Sequence, residues 1–96
     1  MCGICGIFDI TGKHLITSDM IDKMLVSIRH RGPDGSQSKI LNGVGLGFNR
    51  LSFIDLDGGM QPLSNEDDTL HMICNGEIFN YRELKNELCA KGHTFK

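Results

Sequence analysis

The chain contains no run of apolar residues near the ~20 that a membrane-crossing helix needs, so no membrane partner is expected. It also lacks an excess of charge. Ten basic and twelve acidic side chains leave a formal net charge of −2, with the two signs interleaved. A surface of that kind gives no electrostatic footprint for nucleic acid or an anionic membrane. The opening residues, Met1-Cys2-Gly3-Ile4-Cys5-Gly6, have neither a basic n-region nor a long apolar stretch, so a cytoplasmic chain without a signal peptide is expected.

Cysteine is scarce, at four residues, and nothing in its spacing makes a framework. Cytosolic thiols stay reduced, so disulfides are not expected. Cys2 and Cys5 form a C-x-x-C pair, but a zinc site needs a matching second pair, and Cys74 and Cys89 are too far apart to supply one. A redox pair normally opens a helix after a strand. Here the pair lies at the start of an expected strand, where residues 2 and 5 face opposite ways. Cys5 and Cys74 are better read as small core fillers. The four histidines show no metal-ligand spacing, and the sequence has no phosphate-cradling loop, internal repeat or low-complexity stretch.

What is present fits one small globular domain. Ninety-six residues leave room for no more. With 40% apolar and 23% charged residues, the chain is too hydrophobic to be disordered. Twelve glycines imply tight turns and places where backbone comes close to something else.

Residues 4–10 read as a buried strand, followed by a turn at Thr11-Gly12-Lys13. Residues 19–30 read as a helix, with Ser18 as N-cap and Met20, Met24, Leu25 and Ile28 as its buried stripe. Pro33 and its flanking glycines prevent continuation. Strands are expected at 38–42 and 45–54, joined by an Asn42-Gly43 hairpin turn. Residues 55–69 read as a polar loop, and 70–74 as a fourth strand. A second helix covers 81–91, capped by Asn80 and Glu83, with a Glu87–Lys91 pair and Gly92 past its end.

Three groups of residues carry candidate chemistry. If Met1 is removed, Cys2 bears a thiol and a free α-amine. Their ordinary pKa values, ~8.5 and ~7.7–8.0, let each exchange a proton with the other near neutrality. One residue then provides both a nucleophile and its base; the competing reading is an ordinary early cysteine. In Asn75-Gly76-Glu77, the Asn75 side chain and the Gly76 N–H are suitable donors to an oxyanion, and Glu77 suits an ammonium group. The competing reading is a plain Asn-Gly turn. Arg50 lies within an apolar strand, where a guanidinium needs a partner. A substrate carboxylate held by two parallel hydrogen bonds is one, and a structural ion pair is the other.

These pieces, in order and spacing, resemble a known family. The carriers are Met1 to Ile7, His30-Arg31-Gly32-Pro33-Asp34-Gly35, Arg50-Leu51-Ser52 with Gln61-Pro62-Leu63, and Asn75-Gly76-Glu77-Ile78-Phe79-Asn80. Together they resemble the class II, N-terminal-nucleophile glutamine amidotransferase domain that opens glutamine-hydrolysing asparagine synthetases. The resemblance covers the whole chain, and His-Arg-Gly-Pro-Asp is similar to that branch in particular.

The resemblance implies an α+β fold, the αββα sandwich of N-terminal-nucleophile hydrolases. About four strands and two helices of it are expected in residues 1–96, a single amidotransferase domain truncated at its C-terminal side. It implies that Cys2 attacks the side-chain amide of glutamine, that Asn75 and Gly76 supply the oxyanion donors, and that Arg50 clamps the substrate carboxylate. Leu51, Ser52, Phe53 and Ile54 would contact the substrate through their backbone, and Glu77 would lie by its α-amino group.

The family's Ser-Asp segment after the position of Thr94-Phe95 is absent, and Gly92 to Lys96 reads as a turn entering another strand, so a fragment without turnover of its own is expected. No cofactor is expected in this stretch. ATP and Mg would belong to a synthetase domain outside it, which is the expected partner besides glutamine, and a homodimeric parent is compatible with the resemblance. Two other readings stay open: a related enzyme amidating another acceptor in polysaccharide or natural-product synthesis, and a non-catalytic remnant of the domain.

Overall fold

The computed structural model describes residues 2–51 and 60–95. The elements run β1 (Gly3–Phe8), α1 (Ser18–Ser27), β2 (Gly35–Leu41), β3 (Val44–Arg50), β4 (Leu63–Ser64), β5 (His71–Met72) and α2 (Tyr81–Ala90), with a 3-10 turn at Arg29–Arg31. The class is α+β, helices with antiparallel strands, as the resemblance implied.

Three strands form an antiparallel sheet in the order β1-β3-β2. The β2–β3 connection is the expected two-residue turn at Asn42-Gly43, and Gly43 takes the positive φ of 76° that such a turn demands. β3 alternates Gly45, Gly47 and Asn49 on the face under α1 with Leu46 and Phe48 on the other. The two glycines are there because α1 lies almost on the backbone. A Cβ on Gly45 would sit 2.7 Å from Ile21 Cδ1, and one on Gly47 would sit 2.6 Å from Cys5 Sγ.

α1 begins one residue earlier than its sequence signals indicate. Thr17, not Ser18, is the N-cap, and its hydroxyl accepts the Met20 N–H at 3.4 Å. The buried stripe is also rotated from the expected one. Ile21 (0% exposed) and Leu25 (4%) are its centre, whereas Met20 is 42% exposed. The spacing alone permits either line, and the sheet selects the branched side chain that fits over its glycines. Burying Ile21 and Leu25 contributes roughly 1.5–3 kcal/mol each. Phe48 and Ile16 complete the buried apolar set among the described residues.

The opposite face of the sheet is more open, with Ile4 and Phe8 both largely exposed. β4 and β5 form a short antiparallel hairpin of their own. β4 falls within the stretch 55–69 expected to be loop; at two residues it is too short to show a period. The strand expected at 70–74 is reduced to His71–Met72.

α2 forms where expected and carries the Glu87–Lys91 pair at 3.4 Å. Its cap differs, because the Asn80 side chain makes no capping bond. The helix ends before Gly92, whose φ of 98° lets the His93 N–H turn back to the Leu88 carbonyl at 3.1 Å. Among the described residues no helix is long and apolar enough to cross a membrane.

Candidate active site

One end of the three-stranded sheet collects three of the segments singled out in the sequence. The register sets Gly3 opposite Asn49, so Cys2 arrives beside the end of β3. There the Leu51 N–H donates to Cys2 Sγ at 3.3 Å, and the thiol faces the Leu51 carbonyl at 3.7 Å. Cys2 is half-buried and Arg50, between Asn49 and Leu51, is buried at 8% exposure.

The third segment is His30-Arg31-Gly32-Pro33-Asp34. The Gly32 N–H bonds back to the Arg29 carbonyl at 3.1 Å, closing the 3-10 turn that follows α1. The chain then lies directly on β3. A Cβ on Gly32 would stand 2.8 Å from the Arg50 carbonyl carbon and closer still to Asn49, so only glycine allows this approach. The Asp34 N–H donates to the Arg50 carbonyl at 2.9 Å. This loop therefore braces the backbone that presents Arg50 and Leu51.

Asn49 is a residue the sequence reading passed over. It is fully buried and uses both ends of its amide. Its Nδ2 donates to the Leu25 carbonyl at 2.8 Å, and its Oδ1 accepts the Ser36 hydroxyl at 2.6 Å. The side chain thus ties the end of α1 to β2 and β3 immediately before Arg50. A signal was present: Asn49 shares strand parity with Gly45 and Gly47, so it had to face the helix rather than water.

The two thiols of the C-x-x-C pair go to different places, as strand parity requires. Cys2 meets the Leu51 backbone, while Cys5 sits half-buried under α1 against Gly47. Burial pushes the Cys5 thiol above its ordinary value, which keeps it protonated and unreactive. Cys74, expected as a core filler, is exposed instead, because β5 ends before reaching it.

Asn75, Gly76 and Glu77 occupy a bend beyond β5, all three exposed. Gly76 and Glu77 border a groove of about 550 Å³ whose walls include Leu63, Met72 and Ile78. Among the described residues no hydrogen bond joins this bend to Cys2, Arg50 or Leu51. The fold brings Cys2, Arg50 and Leu51 together and holds the Asn75–Glu77 bend on the second hairpin. Ser52, Phe53 and Ile54, expected as substrate contacts, lie outside the described residues.

A family model described as a glutamine amidotransferase domain matches residues 1–96. The chain is 48% identical, over 100 aligned residues, to the glutamine-hydrolysing asparagine synthetase 1 of Bacillus subtilis strain 168. It is 42% identical over 98 residues to asparagine synthetase 2 of that organism, and 40% identical over 96 residues to the glutamine-hydrolysing asparagine synthetase of Zea mays. These alignments cover 99–100% of this chain but 13–16% of those proteins, so the chain spans about a sixth of their length or less.

Proposed function

The chain belongs to the glutamine amidotransferase domain family, and we propose that within it Cys2 is the nucleophile that hydrolyses glutamine to glutamate and ammonia. The observation that carries this reading is the seating of Cys2 Sγ on the N–H of Leu51, the residue that follows the buried Arg50. A nucleophile and a carboxylate fork at adjacent positions hold an amino-acid substrate at both ends.

Removal of Met1 frees the Cys2 α-amine, which takes the thiol proton as Sγ attacks the side-chain amide carbon of glutamine. The carbonyl oxygen becomes an oxyanion, for which the Asn75 side chain and Gly76 N–H are the donors. As the tetrahedral intermediate collapses, the C–N bond breaks and the amine's proton goes to the leaving nitrogen, releasing ammonia. Water then attacks the thioester, the C–S bond breaks, and glutamate leaves with the thiol restored. Arg50 holds the α-carboxylate, the backbone of residues 51–54 lines the substrate, and Glu77 faces its ammonium group.

The relatives' names extend the proposal to the whole protein, in which the ammonia serves asparagine synthesis; the family resemblance adds that this is ATP-dependent formation from aspartate in a synthetase domain. The test is Cys2→Ser in the full chain. Glutamate release from glutamine should fall by more than about a thousandfold, while asparagine formation from free ammonia continues. Glutamate release at the unmodified rate would remove Cys2 from the chemistry.

A further inference from the structure

We propose that Gln61 is a positioning residue for the Asn75–Gly76 bend, its side-chain amide replacing the strand neighbour that Cys74 would otherwise have. The proposal rests on the glutaminase reading above for its kinetic consequence, but its structural basis is independent of it.

The hairpin register pairs Ser64 with His71 and Leu63 with Met72, and the Asn65 N–H bonds to the Leu70 carbonyl at 3.1 Å. In an antiparallel ladder, pairs that exchange hydrogen bonds alternate with pairs that do not. Counting from Asn65 and Leu70, the bonding pairs are Leu63 with Met72 and then Gln61 with Cys74. Cys74 therefore presents its N–H and C=O toward residue 61. The regular ladder stops at Leu63 and Met72, short of that pair.

The Gln61 side chain takes over at that point. Its Nε2 donates to the Cys74 carbonyl at 3.0 Å, and its Oε1 accepts the Cys74 N–H. A carboxamide carries the same donor and acceptor as a peptide group, so it reproduces both bonds of a strand pair.

The clamped residue is the one before Asn75 and Gly76. Gly76 is folded close to it, since a Cβ there would lie 3.5 Å from Cys74 Sγ. Gln61, Cys74, Gly76 and Glu77 also border the same groove. Oxyanion donors act only when aimed within a few tenths of an ångström of the developing charge. An exposed bend beyond a two-residue strand has little else to aim it. In this arrangement Gln61 acts through the Cys74 backbone.

The experiment compares Gln61→Ala and Gln61→Glu with the unmodified full chain. Glutamate keeps the size and the acceptor oxygens but loses the donor to the Cys74 carbonyl. Reactive Cys2 is titrated with a glutamine-like diazoketone, so that rates are expressed per competent site.

Per titrated Cys2, kcat for glutamine hydrolysis should fall about tenfold to a hundredfold in both variants, with KM changed far less. Amide hydrogen exchange at Cys74, whose N–H Gln61 holds, should speed up at least about tenfold. A merely structural role would lower the titratable fraction and leave kcat per site and the KM unchanged, and that result overturns the proposal. Unaltered exchange at Cys74 also overturns it. A full chain that never hydrolyses glutamine defeats the glutaminase reading instead, and exchange then decides the placement of Gln61 alone.

Discussion

The Leu51 amide nitrogen stands 3.3 Å from Cys2 Sγ although 49 positions separate the two residues in the chain. The contact exists because β1 and β3 are antiparallel neighbours, registered so that the start of one meets the end of the other. It places the first thiol of the sequence beside the only arginine on β3.

Arg50 follows from that placement. Its guanidinium is buried at the end of β3, so replacement changes a desolvated contact rather than a screened one. Arg50→Lys keeps the charge but replaces a planar fork by a point charge. In the full chain, kcat/KM for glutamine should drop about ten- to a hundredfold, or roughly 1.5–3 kcal/mol. Steady-state kinetics with glutamine as the varied substrate measures this, and unchanged kinetics would make Arg50 structural.

Asn49 offers a stability test. Asn49→Ala removes the donor to the Leu25 carbonyl and the acceptor for the Ser36 hydroxyl, in a position with no solvent to replace them. The expected loss is roughly 1–3 kcal/mol, read from the shift in urea midpoint of the cooperative unit that contains the three-stranded sheet. Because the same side chain braces the backbone before Arg50, KM for glutamine should rise as well. A variant with the original midpoint would show that the buried amide contributes nothing net.

Asp9 gives a dependence on pH. Its carboxylate accepts the Thr11 hydroxyl at 2.7 Å, the His14 N–H at 2.8 Å and the Thr11 N–H at 3.0 Å. The Thr11 hydroxyl leads in lowering its pKa from 3.8 to about 2. A carboxylate depressed in the folded state stabilises above its unfolded value and loses that contribution as pH falls through the folded one. Asp9→Asn should therefore be less stable than the unmodified chain at neutral pH. The gap should close as pH drops from 3.8 toward about 2. Thermal melts of both proteins across that range follow the gap, and a difference that stays constant to the acid end contradicts the assignment.

The sequence by itself determined the family, both helices and the Asn42-Gly43 turn. Those features are local or collinear: a turn is dictated by its two residues, a helix by its period and stop signals, and a motif by its order. Tertiary structure alone decided which side of α1 is buried, because Met20 and Ile21 lie on neighbouring lines of one helix and only the glycine-floored sheet distinguishes them. It also decided the partners of Asn49 and Gln61. An amide side chain has the same donors and acceptors wherever it stands. What it ties together depends on which carbonyls and N–H groups the fold brings within its reach, and no spacing along the chain records that.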